Sequence, residues 1–86
     1  MEILEKIEDV IKFSNIAINE SEVTYPQLYK VRMKLKRALF LLEREKVTHA
    51  RDKDVLDKIL DLEFEVKKLL YKIRTLSLEQ LNEKDK

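Results

Sequence analysis

The chain has 86 residues, with 18 lysines and arginines against 17 aspartates and glutamates, one proline, and neither cysteine nor glycine. Without cysteine there is no disulfide framework, thiolate nucleophile or cysteine-based zinc site, and a reducing compartment is compatible. Without glycine the Asn-Gly and Asp-Gly turns of β-hairpins are missing, so the reading is all-α: an antiparallel bundle of three main helices, about 2–19, 25–46 and 54–76, in one domain spanning 1–86.

The first helix is predicted from Glu2 to Asn19. Ile3, Ile7, Val10, Ser14 and Ala17 recur at spacings of four and three, and Leu4, Ile11 and Ile18 widen the stripe. The run Asn19-Glu-Ser-Glu-Val-Thr24 interrupts it, and Thr24-Tyr-Pro-Gln27 reads as a helix start. Thr24 is the N-cap, the proline falls in the first turn where its missing N–H is not needed, and Gln27 is placed to reach back.

The second helix carries a seam of Leu28, Val31, Leu35, Ala38 and Leu42. That seam lapses after Leu42, because its next positions fall on Glu45, His49 and Asp52. A turn near 47–53 is therefore expected, with Thr48 or Asp52 capping the next helix. A continuous rod from 25 to 75, about 75 Å long, is the alternative. The third helix repeats the four-three spacing through Val55, Ile59, Leu62, Val66, Leu69, Ile73 and Leu76, a heptad-like pattern that favours long antiparallel packing. Ser77 is placed to cap a short segment through Leu81, with 82–86 expected to fray.

Two helices are apolar on a second side. Tyr29, Met33 and Phe40 lie opposite the seam of the second helix, and Leu60, Phe64 and Tyr71 do so on the third. Either a wide bundle covers them internally or a second molecule does; self-association as a homodimer is the expectation, with these six residues as its protein interface.

The net charge of +1 hides a segregation. Residues 1–22 carry six acids against two bases, residues 23–53 nine bases against three acids, and residues 54–86 eight acids against seven bases. Lys30, Lys34, Arg37 and Arg44 form one ridge of the second helix, and Arg32 and Lys36 flank its aromatic strip on the other side. Basic rows around exposed aromatics bind phosphates and stack bases, so nucleic acid is one reading of this helix. The other is neutralisation, within the chain or between subunits, by the acids Glu2, Glu5, Glu8 and Asp9, or by the ridge Asp54, Asp57, Asp61 and Glu65. That second ridge also invites a divalent cation. One histidine and no convergent second helix of carboxylates make a poor ligand set, and acids early with bases late complement the helix dipole, so no metal is expected.

Arg44-Glu-Lys-Val-Thr-His49 resembles the R-x4-H motif of the HEPN ribonucleases, which are all-α and commonly place the motif at a dimer interface. The resemblance implies a ribonuclease in which Arg44 stabilises the phosphorane and His49 serves as acid or base in 2′-hydroxyl attack. No phosphate loop, Ser-His-Asp set or zinc helix is present. The leading expectation is a non-catalytic interaction or adaptor protein acting as a homodimer, with a protein partner possible. A nucleic-acid-binding regulator is the alternative and a HEPN-like ribonuclease the second. No cofactor or small-molecule ligand is evident. No run is apolar enough to span a membrane and the first residues are acidic rather than signal-like, so a soluble cytoplasmic protein is expected.

Overall fold

A computed structural model describes residues 2–19 and 24–84, with side chains through Glu79. It contains α1 (Glu2–Ile18), α2 (Tyr25–Thr48) and α3 (Lys53–Lys84), and each helix packs against the other two. At Thr24 the backbone is extended, and its N–H donates to Gln27 Oε1 at 3.0 Å, so the expected capping residue reaches back as its spacing requires. The long-rod alternative fails at His49–Asp52. His49 closes α2 through its N–H to the Glu45 carbonyl at 2.9 Å, and Asp52 opens α3 by accepting the Val55 N–H at 3.3 Å. Thr48 is not the cap, since its hydroxyl donates back to the Arg44 carbonyl.

Side-chain pairings set the direction of each helix. Lys34 lies over Phe13, and Lys46 reaches Glu63. With the short connections these make α1/α2 and α2/α3 antiparallel. Lys58 meets Glu8 and Lys72 meets Asn19, so α1 and α3 run parallel.

The core is a single column. Leu28, Val31, Leu35, Ala38 and Leu42 are buried as the seam predicts, and so are Ile59, Leu62, Val66, Leu69 and Ile73 of α3. On α1 the buried stripe centres one residue later than expected, on Leu4, Ile7, Ile11, Ser14 and Ile18. Ile3 is exposed, while Val10 and Ala17 pack against the edge of the core. The reason is that α1 must fit the crevice between two helices, which selects the side of a wide apolar stripe that faces both.

A second difference concerns the end of α3. The expectation of a new segment capped by Ser77 fails, because the helix passes through Ser77 and continues to Lys84. No glycine or proline lies there to stop it, and the extra turns carry Leu78 alongside Tyr25. The frayed tail proposed for 82–86 is helical through Lys84, and residues 85–86 lie outside the described part.

Ser14 is fully buried and its hydroxyl has no partner among the described residues. An unpaired buried hydroxyl costs more than the alanine that would replace it. Ser14→Ala is therefore expected to leave the melting temperature unchanged or raise it. Leu35→Ala, at the centre of the column, should cost about 2–5 kcal/mol. Thermal and denaturant unfolding of the two variants side by side checks both outcomes.

Candidate interaction surface

The bundle does not cover the six apolar residues outside the seams. Phe40 is 69%, Phe64 66% and Tyr71 73% exposed, and Tyr29, Met33 and Leu60 are also exposed. A three-helix bundle buries one stripe per helix, and these residues stand outside it. They do not form one patch, however. Tyr29 and Met33 line a groove of about 550 Å³ between α1 and α2, together with Phe13 and Ile16. Tyr71 lines a second groove, of about 540 Å³, between α2 and α3. Phe40, Leu60 and Phe64 lie nearer the α2–α3 turn. At 1.5 Å per residue, Phe40 is about 12 Å from the end of α2 and Phe64 about 16 Å from the start of α3, so they are close in height.

Phe13 and Ile16, 51% and 67% exposed, also stand outside the core, and the signal for this lies in the sequence, since both fall on the side of α1 away from Leu4, Ile11 and Ile18. Lys34 Nζ sits 4.5 Å from the centre of the Phe13 ring. A cation over an exposed ring is worth about 0.5–1 kcal/mol, and here it ties α2 to α1.

The basic residues are divided by the same geometry. Lys30 and Lys34 line the α1/α2 groove, whereas Arg32 and Lys36 line the α2/α3 groove, where Arg74 joins them from α3. Arg37 and Arg44 are exposed. None of Lys30, Arg32, Lys34, Lys36, Arg37 and Arg44 makes an ion pair among the described residues. Neutralisation within the chain, one of the two sequence readings, is thus not how the described residues are arranged. Glu8 of the acidic first helix turns to Lys58 of α3, and Asp54, Asp57, Asp61 and Glu65 make no ion pair to α2. Among the described residues no group of three or more acids and histidines gathers as a metal would require.

One cluster of paired charges joins α2 to α3 towards the turn. Lys46 reaches Glu43 at 3.6 Å and Glu63 at 3.0 Å, and Lys67 reaches Glu63 at 3.1 Å. Glu63 is only 8% exposed. Burial pushes its pKa up, but hydrogen bonds from Lys46 and Lys67 outweigh that and hold it at about 2. The same bond to Glu63 raises Lys46. Sequence gave no warning of this pair, since Glu63 sits on the flank between Leu62 and Phe64 and looks like a surface acid.

Arg44 and His49 are not brought together within the chain. Five residues turn a helix by about 140°, so the two point to different sides. His49 is partly buried at the end of α2, with Nε2 3.2 Å from Glu45 Oε2, while Arg44 faces solvent. Among the described residues no helix is long and apolar enough to cross a membrane. No family model matches the chain, and no similar curated protein or solved structure is found.

Because the folded-state pKa of Glu63 lies below its ordinary value of 4.5, its contribution to stability is present above pH 4.5 and disappears as pH falls towards 2. Glu63→Gln is expected to lower stability at pH 7 by about 1–2 kcal/mol, less than the full shift implies because both lysines are partly in water. The variant should also flatten the acid limb between pH 4.5 and 2. Urea unfolding across that range checks the sign, and parallel acid limbs in variant and parent would refute it.

Proposed function

We propose that this chain is a non-catalytic interaction protein that pairs with a second copy of itself through the outer faces of α2 and α3 near their connecting turn. The observation that carries this reading is the exposure of Phe40 on α2 and of Leu60 and Phe64, one turn apart, on α3, with Val47 78% exposed two turns beyond Phe40. Large apolar groups left in water on the outer sides of a bundle gain free energy when covered.

The surrounding charge is compatible with a two-fold contact. A two-fold interface sets each residue against the same patch of the partner, so an unbalanced charge would meet its own kind. Here Lys46 and Lys67 are matched by Glu43 and Glu63 within the chain. Arg37 and Arg44, within about one turn of Phe40, have no ion pair among the described residues, and the exposed acids Asp57 and Asp61 on the Phe64 side of α3 are the groups of a second copy that would offset them. A stable interface needs about 800 Å² from each partner. That is roughly an eighth of the 6627 Å² surface of this chain, within reach of a bundle 53 Å long.

Light scattering should therefore give twice the 10.4 kDa chain mass. Phe40→Asp and Phe64→Asp should each shift the protein towards monomer with little loss of helicity, because both rings are outside the core. Wild-type protein that stays a monodisperse monomer at high micromolar concentration would remove this reading.

A further inference from the structure

At the end of the α2/α3 face away from the turn, the groove between the helices is lined by Tyr25, Arg32 and Lys36 from α2 and by Tyr71, Arg74 and Leu78 from α3. We propose that this groove binds single-stranded nucleic acid, with Arg32, Lys36 and Arg74 on its phosphates and Tyr25 and Tyr71 offering ring faces to its bases. This goes beyond pairing of two copies, because every group involved belongs to one chain.

Three observations carry it. Among the described residues no acid lines the groove, and none of its three cations makes an ion pair. Three like charges held on two packed helices raise the local potential, which a polyanion relieves with release of its counterions. The rings are available as well: Tyr71 is 73% and Tyr25 45% exposed. Arginines beside open aromatic rings form a surface on which unpaired bases stack, whereas duplex bases are already stacked on one another. Finally, a second copy is disfavoured as the occupant. Two-fold pairing over this groove would set the same three cations against each other, with no acid among the described lining residues to offset them.

The groove is also distinct from the basic ridge. Lys30 and Lys34 line the other groove, on the far side of α2, where Lys34 already lies over Phe13. They therefore serve as an internal control of equal charge.

The test is fluorescence anisotropy with a labelled 12-nucleotide single strand, in RNA and DNA forms, at salt concentrations from 50 to 200 mM. A matching duplex and a 12-residue polyglutamate peptide compete. Three phosphate contacts predict a log-log salt slope of about −2 for a single strand. Arg32→Gln with Arg74→Gln should weaken binding about tenfold or more at 50 mM salt and bring the slope to about −0.7. Tyr71→Ala should weaken it about five- to hundredfold with the slope unchanged, since stacking releases no ions. Lys30→Gln with Lys34→Gln should change affinity much less than the arginine pair. Circular dichroism confirms that each variant is folded, and repeating the measurement on Phe40→Asp separates this site from dimer formation. Absence of binding by wild type at 50 mM salt overturns the proposal, as does equal weakening by the lysine and arginine pairs. Stronger competition by polyglutamate than by unlabelled single strand also overturns it and assigns the groove to an acidic protein segment.

Discussion

The column of Leu35, Leu42, Ile59 and Val66, all removed from water, is the contact on which the rest of this molecule depends. It holds α2 and α3 antiparallel, and α1 closes it from the third side with Leu4, Ile7 and Ile11. Each helix can offer only one stripe to such a column. What lies outside the stripe is thereby placed in water or in a groove, and the aromatic and basic residues of α2 are distributed by that requirement alone.

The outer face of α2 and α3 is divided along its length by charge. Near the turn, Glu63 is held ionised by two lysines, and together with Glu43 it offsets the charge of Lys46 and Lys67. Holding a carboxylate this far inside is favourable because two ammonium groups lie against it, Lys67 donating to Oε1 and Lys46 paired with Oε2, since the desolvation of a lone charge would exceed any single surface pair. At the other end Arg32, Lys36 and Arg74 have no such partners among the described residues. The exposed phenylalanines nearer the turn and the basic groove bearing Tyr25 and Tyr71 at the other end are thus two different kinds of surface. Along α2 the two adjoin, since Lys36 lies one turn before Phe40, while Arg32 and Arg74 stand two to three turns from the phenylalanines of their helices.

Glycine-free helices make this division rigid. With no glycine to relax the backbone and the sole proline in the first turn of α2, neither face can deform much to meet a ligand. Recognition then relies on side-chain placement that exists before binding, which lowers the entropy cost of forming either contact.

The amino-acid sequence by itself determined the number of helices, the cap at Thr24, the turn before Asp52 and the seams of α2 and α3. These are local or periodic properties, decided by capping geometry and by the 3.6-residue repeat. It also determined that Tyr29, Met33, Phe40, Leu60, Phe64 and Tyr71 stand apart from the seams. Only the tertiary structure decided which side of the wide α1 stripe is buried, because Leu4 and Ile3 are equally apolar and the choice depends on the crevice they meet. Only the tertiary structure joined Arg74 to Arg32 and Lys36, and Lys46 to Glu63, since residues on different helices become neighbours through the relative height and rotation of the helices. Those two quantities are set by packing of the whole core and leave no trace in the spacing of any one segment.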